Sequence, residues 1–536
     1  MLIPSAVSWE QSLETHVTRG KVSVVCTYIK TSHSLRDVLN PFERMILTRR
    51  PLSLIDWTKQ YKDMVPLPEP KEGDDLYCPN WELSQFSYFV AREFLTSVWF
   101  TRSWITQEFV LARDLVFLYG FGHNTAAWPW RMAVTVHLNL VDSPAKPPGF
   151  SAGRTEKEIK ALFKANNQSS QWQSLKLRVD KNPDGLNFIY VLNHANLTNA
   201  TNPKDRIYSI LGLLREADRK AIRVDYRSEY SYRQLLIDVA AHCVRIGDTM
   251  EMLNCTEHIT ENLDLPSWVP EWINEYSNGL APMLYKASDS TNEEVILEEH
   301  KSLLRIKGYI ADYFDYFGPG VTYPDGRPTG RWNSFAPEAD HSVGAFIERA
   351  ATIMCQQLFL SYFRYPTKES AREVVRRVIT CDQGWSGERS TAVDREQYNS
   401  YPSNCSILKE MDLPKSPQAL DEYLFQEYSK CIGRFGPFVG GTLPFLGSVL
   451  NRMGGNKLGV TKMGWLGVFP QKTGSEDVVV VFKGGNTPFV MREDGKGRFH
   501  IIGACYIHGI MDGELFDKDA GLYHLEEEKA MEFVLC

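Results

Sequence analysis

Short segments rich in β-branched and aromatic residues follow one another near the end of the chain, and they constrain its fold more than any other feature. Glycine-rich turns separate them, at 483–486 (Lys-Gly-Gly-Asn) and 493–497 (Glu-Asp-Gly-Lys-Gly). Such turns suit antiparallel neighbours because glycine, asparagine and aspartate tolerate the backbone angles of tight hairpins. The pattern predicts an antiparallel meander or small barrel, with strands at Trp465–Phe469, Val478–Phe482, Phe489–Arg492 and Phe499–Ile507.

Much of the remaining chain has the apolar spacing of amphipathic helices. Clear examples lie at 84–98, 231–246 and 369–380, and an alternating segment at 303–310 predicts another strand. A proline-rich segment at 144–151 indicates a linker. The predicted fold class is therefore mixed α+β. Its predicted regions are an α/β domain at 1–143, a helical middle region at 152–300, and a helical and β-rich region at 301–536.

Other segments predict loops or short helices. The polar composition of 280–300 and of 381–403 predicts two surface loops. The many glycines of 433–459 predict a flexible loop, because their spacing matches neither common phosphate-binding motif. The segment Trp128-Pro129-Trp130 predicts the start of a short helix that continues to about Leu140.

Composition narrows the classes of function. The net charge is -7 and no basic block is present, so nucleic acid is not an expected partner. The ten cysteines form no Cys-x-x-Cys pair, which argues against a structural zinc site, and neither a metal nor a cofactor is expected. The chain has no signal-peptide pattern and no apolar run of membrane-spanning length. These features predict a soluble, cytoplasmic protein.

The segment from Trp99 to Gly120 is unusually rich in large aromatic and charged residues, including two tryptophans, an arginine and a Gln-Glu pair within its first ten positions. Residues 103–112 have helical spacing, and Glu108 is predicted to lie on or beside the apolar face. A carboxylate placed there needs a partner, or it must take up a proton. Glu108, with Arg102 nearby, is thus a candidate catalytic group, and a structural ion pair is the alternative that we favour.

The same segment resembles the closing motif of the fungal heterokaryon-incompatibility (HET) domain. The pattern Trp-x-x-Arg-x-Trp-x-x-Gln-Glu is followed by a short apolar strand. Further similar segments occur in the family's order along the chain, at 202–213, 265–272 and 503–514. The signature residues that these segments carry are Trp99, Arg102, Trp104, Gln107, Glu108, Asp205, Arg206, Trp268, Tyr506, His508 and Asp512.

The resemblance is incomplete at its beginning. A HET domain normally starts with a Tyr-x-x-Leu-Ser-Tyr-x-Trp-Gly-like strand and an Ile-Asp-Ala-x-Cys-Ile-Asn-Gln-like segment. Neither occurs upstream of Trp99, and Val22–Cys26 replaces neither of them. The first region is therefore predicted to be a truncated HET domain.

The resemblance implies a role in non-self recognition between fusing hyphae and in programmed cell death. Distant similarity of HET domains to TIR domains would further imply nucleotide or NAD cleavage, with Glu108 steadying positive charge on the sugar. A second hypothesis is a non-enzymatic protein that assembles with an incompatibility partner. A third is a small-molecule enzyme or an accessory factor of a biosynthetic cluster.

The segment 503–514 contains a further group of polar residues. In a strand, Tyr506 and His508 share one face while Cys505 lies on the other, which disfavours a Cys-His catalytic pair. A pair of His508 with Asp512 across a turn is possible. A hydrogen-bonded structural histidine is the interpretation that we favour.

Overall fold

The computed structural model separates the chain into two compact units, residues 1–224 and 225–536. The predicted boundaries near 143–152 and 300 remain predictions. In the parts described, no helix is long and apolar enough to cross a membrane. The described residues are 23–25, 102–112, 116–119, 126–129, 172, 174–195, 198–256, 264–272, 280–298, 300–320, 351, 365–384, 387–400, 449, 452–453, 455–517 and 524–536.

The first unit combines a small antiparallel sheet with helices. Its strands are β1 (Ser23–Val25), β2 (Val116–Tyr119) and β3 (Ala126–Pro129). They pair in the order β1-β2-β3. The helices are α1 (Ser103–Leu111), α2 (Phe188–Ala195), α3 (Asp205–Tyr208) and α4 (Glu216–Ala221), and Leu211–Leu213 form a 3-10 turn. The helix predicted to begin at Trp128 is wrong at its start, because Trp128 pairs with Phe117 as part of a strand.

The second unit begins with helices, as the apolar spacing predicts. Helix α5 (Tyr232–Arg245) starts where Ser231 accepts a hydrogen bond from the Gln234 backbone N–H, and α6 (Thr249–Leu253) follows. The buried positions of α5 include Leu235, Leu236, Val239 and Cys243, which recur at helical spacing. Further along the chain lie α7 (Ala371–Ile379) and α8 (Ala392–Ser400), with 3-10 turns at Pro282–Leu284 and Glu527–Lys529.

One long strand organises the sheet of the second unit. This strand is β5 (Leu304–Gly320). The other strands are β4 (Val295–Leu297), β6 (Asn456–Thr461), β7 (Leu466–Pro470), β8 (Val478–Phe482), β9 (Phe489–Glu493), β10 (Phe499–Ala504), β11 (Tyr506–Ile507) and β12 (Met531–Leu535). Strand β5 pairs with β12 through its first part and with β8 through its middle, and the ring β5-β12-β10-β9-β8 closes into a barrel. Its last part instead pairs with β6, which continues to β7 and β11.

Aromatic rings fill the barrel. Phe533 lies with its ring centroid 5.8 Å from that of Phe482 and 5.1 Å from that of Phe499, both nearly edge to face. Phe314 and Phe469 pack edge to face at 4.9 Å where β5 passes from one set of partners to the next. These contacts explain why the β-branched and aromatic segments form strands, since they bury apolar side chains from several strands against one another.

The mixed α+β class and the C-terminal β region are confirmed. Strand Val478–Phe482 matches its prediction, and the strands predicted at Trp465–Phe469 and Phe489–Arg492 differ only at their ends. The single strand predicted at Phe499–Ile507 is wrong, because Cys505 separates β10 from β11 and the two pair with different strands. Three predicted loops are wrong in part. The 280–300 segment contains β4, the 381–403 segment contains α8, and the end of the 433–459 segment lies in β6. Pairing with β5 overrides weak local preference in the first and third of these segments.

Candidate functional site

Helix α1 carries the first part of the HET-like signature and is fastened at both ends. The Ser103 backbone N–H donates to the Asn199 carbonyl at 3.0 Å, beside a parallel bridge between Arg102 and Asn199. At the other end, the Lys176 ammonium donates to the carbonyl oxygens of Val110, at 3.3 Å, and of Ala112. A cation at the C-terminal end of a helix satisfies exposed carbonyl groups and opposes the helix dipole.

The buried face of α1 is anchored by a tryptophan from elsewhere in the unit. The Trp172 indole N–H donates to Thr106 Oγ1 at 3.0 Å, and its ring centroid lies 5.2 Å from that of Phe109. Both aromatic side chains are fully buried. Thr106 thus provides a hydrogen-bond acceptor for the indole N–H in a largely apolar environment.

Glu108 does not lie within the buried apolar face of α1, so of its two predicted placements only the one beside that face is compatible with the structure. Ile105 and Phe109 are buried, whereas Glu108 and Arg102 are exposed and Trp104 is 39% exposed. The pKa of the Glu108 carboxyl is raised because neighbouring groups remove part of its hydration, and the positive charge of Arg102 opposes this shift. The exposed residue therefore still carries a partly shielded carboxyl, and its catalytic role remains a prediction. Trp99 lies outside the described residues.

The Gln107 signature residue has a packing role. Its side chain lies against Gly212, so closely that a Cβ at that position would come within 2.5 Å of the amide carbon. Gly212 belongs to the second HET-like segment, whose short helix α3 contains Asp205 and Arg206. Helix α1 packs against both α3 and the 3-10 turn that follows it. Two signature segments, separated by about a hundred residues in the sequence, thus form one packed unit.

The Trp268 signature residue is also structural. Its side chain is fully buried, and its indole nitrogen donates to the Ser302 carbonyl at 3.5 Å. The neighbouring Ser267 binds two strands of the barrel: its backbone N–H donates to the Cys536 carbonyl and its hydroxyl accepts from the Ile501 N–H. Trp268 is therefore a packing anchor.

The barrel unit contains a buried cluster centred on His508. Its Nε2 lies 2.5 Å from Glu369 Oε2, and its Nδ1 lies 3.3 Å from the Tyr506 hydroxyl. Because a carboxylate can only accept, Nε2 carries the proton of the first bond. The Tyr365 ring stacks on the imidazole, with centroids 5.6 Å apart, while its hydroxyl donates to the His508 carbonyl at 2.9 Å. Tyr506 lies in β11 and His508 in the turn directly after it, and their side chains nevertheless face each other.

Glu369 is the charged partner of this cluster. Burial by itself would raise the pKa of its carboxyl. Hydrogen bonds from His508 and Thr367, with the charges of His508 and Arg377, outweigh burial and lower that pKa to about 2. The Thr367 hydroxyl donates at 2.6 Å, and the Arg377 Nε lies 3.3 Å from the second carboxylate oxygen. Glu369 is therefore ionised at neutral pH and holds the imidazole in one orientation.

Asp512 does not pair with His508. Its carboxylate instead accepts from Arg389 Nη2, and Arg389 Nη1 donates to Asp382 Oδ2 at 2.7 Å. Asp382 also accepts from Arg377 at 3.1 Å. The arginine lies over the Tyr285 ring at 4.7 Å from its centroid, which adds a cation–π contact. The turn after β11 is thus joined by ion pairs to the 377–389 segment.

The cluster around His508 has the features of a structural hydrogen-bond network and not those of a catalytic centre. His508 and Tyr506 are almost fully buried, and both imidazole nitrogens have partners. Burial raises the pKa of the Tyr506 hydroxyl and that of the Cys505 thiol well above their ordinary values, so neither is an activated nucleophile. Tyr365, Glu369 and Arg377 were missed from the sequence, because a single chain gives no sign of which distant carboxylate will reach a buried histidine.

Known proteins resemble this chain along most of its length. Residues 442–522 match the family model of the Het-6 beta-barrel domain, which corresponds here to β6 through β11. The heterokaryon incompatibility protein 6, OR allele, of Neurospora crassa is 24% identical over 495 residues, covering 82% of this chain and 67% of that protein. No solved structure matches the chain. The chain is therefore a relative of the fungal heterokaryon incompatibility proteins, and it carries a Het-6 β-barrel domain.

Proposed function

We propose that the chain acts in fungal non-self recognition, as a cytoplasmic heterokaryon-incompatibility factor that triggers programmed cell death with a protein partner. The similarity to the Neurospora crassa incompatibility protein, over 82% of this chain, carries the proposal. The match extends well beyond the part of the chain that the barrel-domain model covers, which is residues 442–522.

Binding to a protein partner is favoured over catalysis by the state of the polar signature residues. Gln107 packs on Gly212, Trp268 is buried, and His508 is held between Glu369 and Tyr506. In the part of the chain that the structure describes, these residues support packing and keep elements in place. Such use suits a protein that presents a rigid surface to a partner.

Enzymatic action is the second candidate, and one observation supports it. Glu108 and Arg102 lie on the exposed side of α1, and the Glu108 carboxyl has a raised pKa. An accessible carboxyl of this kind can serve as a general acid, which would fit cleavage of a nucleotide or of NAD. A substrate would have to bind beside α1 for this role.

The test is a fusion experiment in Neurospora crassa. A strain expressing the full chain from an inducible promoter is fused with itself and with strains of other incompatibility genotypes, and dye uptake measures cell death. We expect death in at least one non-self pairing and none in the self pairing. Equal survival in every pairing, with the protein shown to accumulate, would reject the proposal.

A Glu108→Gln variant separates the two candidates. If the chain acts by binding a partner, the variant kills as efficiently as the wild type and cellular NAD falls only after death begins. If it acts as an enzyme, the variant fails to kill while accumulating normally, and in the wild type NAD falls before dye enters. Glu396→Gln, which changes another exposed glutamate, is the matched control.

A further inference from the structure

Three potential metal ligands meet at one end of the barrel. Asp494 follows β9, His500 is the second residue of β10, and Cys536 follows β12. The parallel pairing of Phe499 with Leu535 brings the next residue of each strand side by side. Because Phe499 and Leu535 are buried, alternation along the strands directs His500 and Cys536 to the opposite face.

The distances suit a single small ion. The Cys536 sulfur lies 3.6 Å from His500 Nε2, and the ligand atoms of all three residues lie within 4.8 Å of one another. A zinc ion bound to one sulfur and one imidazole nitrogen at the tetrahedral angle separates those two atoms by about 3.6 Å. Two of the three ligands are thus already at binding separation, and the carboxylate has to move by only about 1 Å.

We propose that Asp494, His500 and Cys536 form a binding site for a divalent transition-metal ion such as zinc. Thiolate, imidazole and carboxylate together are the ligands that zinc prefers, and three protein ligands leave a fourth position for water or another donor. His500 is exposed and the other two are half-buried, so an ion can reach the site from solvent. Calcium and magnesium do not fit, because they select oxygen ligands.

Asp494 is held in place before any ion binds. Its Oδ1 accepts from the backbone N–H groups of Lys496, at 2.8 Å, and of Arg498, at 3.2 Å. Its Oδ2 accepts from the Arg498 side chain, with Nη2 at 2.7 Å. A bound ion would replace the Arg498 guanidinium as the partner of Oδ2, while Oδ1 keeps its hydrogen bonds to the backbone of the turn. Arg498 therefore competes with the metal, and removing its charge should tighten binding.

The thiol has to lose its proton when the metal binds. Burial raises the pKa of the Cys536 thiol, while the charge of Arg498 lowers it and that of Asp494 raises it. Forming the sulfur–metal bond therefore releases one proton to solvent, because the thiolate is the ligand. Apparent affinity should accordingly increase as the pH rises.

Cobalt(II) titration of the purified full chain, reduced and stripped of metal, is the direct test. We expect one equivalent to produce visible bands of tetrahedral cobalt and a near-ultraviolet thiolate-to-metal band, and zinc to remove both. Cys536→Ser should abolish the thiolate band. His500→Gln and Asp494→Asn should each weaken binding by about tenfold or more. Tenfold is the lower limit because losing a group that only supports a metal ligand already costs about that much. Arg498→Gln should strengthen it.

Cys255→Ser is the matched control, since Cys255 is a partly exposed thiol of the same unit that forms no disulfide. It should leave the spectrum unchanged. The site is rejected if the wild type gives no thiolate band, if the band survives in Cys536→Ser, or if His500→Gln and Asp494→Asn bind as tightly as the wild type. Zinc should also raise the melting temperature of the wild type but not that of Cys536→Ser, and Cys536→Ala provides a second variant if the serine impairs folding.

Discussion

Glu108 in the signature helix and Glu369 beside the barrel are the same residue type in opposite situations. The pKa of Glu108 is raised, because loss of hydration exceeds the help from Arg102. The pKa of Glu369 falls to about 2 although burial also acts on it, because hydrogen bonds and charges from His508, Thr367 and Arg377 outweigh burial. Partners decide the behaviour of a carboxyl, and the partner of Glu369 lies 139 residues away in the sequence.

The comparison also separates two uses of signature residues. Around α1, the motif leaves charged groups at the surface and uses Thr106 and Gln107 for packing. In the second unit, the motif buries Tyr506 and His508, which contact each other and Glu369, while the exposed Asp512 binds Arg389. Changes in the His508 cluster should therefore cost stability, whereas changes on the exposed side of α1 should leave stability almost unchanged.

The largest effect is expected at Gly509, directly after His508. Its φ is +98°, and a Cβ there would lie 2.7 Å from Thr367 Cγ2 and even closer to the Trp465 ring. Gly509→Ala should therefore lower the free energy of unfolding by about 3 kcal/mol, through backbone strain and overpacking, as measured by urea denaturation. Gly495→Ala is the control, because φ is +73° there but nothing lies within 4 Å, and it should cost about 1 kcal/mol. Equal losses would show that the cluster is not tightly packed.

The next effect concerns Glu369 and depends on pH. Its folded pKa of about 2 lies below the ordinary value of 4.5, so its stabilisation is complete above about pH 4.5 and is lost as the pH falls towards 2. Glu369→Gln should lower the free energy of unfolding by at most about 3 kcal/mol near pH 6.

Urea denaturation of both proteins across this pH range provides the measurement. The difference between wild type and Glu369→Gln should shrink as the pH falls from about 4.5 to about 2. The exposed control Glu396→Gln should show no such convergence. A difference that stays constant with pH would mean that the Glu369 charge does not stabilise the cluster. Glu369 and Glu108 would then not differ in how their partners affect the charged carboxylate.

A smaller effect is expected from Thr106→Val in the first unit. The change preserves shape but removes the acceptor of the Trp172 indole N–H, which is fully buried. We expect a loss of about 1 kcal/mol in the free energy of unfolding, the usual contribution of one buried hydrogen bond. Thr201→Val, at an exposed position of the same unit, is the control. An unchanged stability would mean that Thr106 does not anchor the signature helix.

The smallest effect is expected from Glu108→Gln. An exposed residue outside a packed network should change the free energy of unfolding by no more than about 0.5 kcal/mol. Thermal unfolding of the variant is the measurement, with Glu369→Gln as the contrasting case. A loss comparable to that of Glu369→Gln would show that Glu108 belongs to a structural ion pair after all.

Local regularities in the sequence predicted much of the fold. Helix α5 and strand β8 were found because their apolar residues recur with the period of a helix or follow one another as a β-branched run. Helix α8 was missed because residues 392–400 are mostly polar and show no strong apolar period. The full length of β5 was missed because its end contains glycine and proline and pairs with β6, which the sequence presents as a loop.

The candidate sites were less predictable than the elements that carry them. His508 was identified as a hydrogen-bonded structural residue, but its proposed partner was Asp512, four residues away. Asp512 binds Arg389 instead, and Glu369 reaches the imidazole. The geometry of a turn does not reveal which side chain from a distant helix end will approach it.

Local patterns and the order of motifs were enough to predict the family resemblance, the mixed α+β class and the position of the β region. Which side chains meet depends on strand register and helix packing. This holds for the exposure of Glu108, for the Glu369–His508 pair and for the convergence of Asp494, His500 and Cys536. His508 lies 139 residues from Glu369, and Cys536 lies 36 residues from His500, so chain order gives no information about their distance in space.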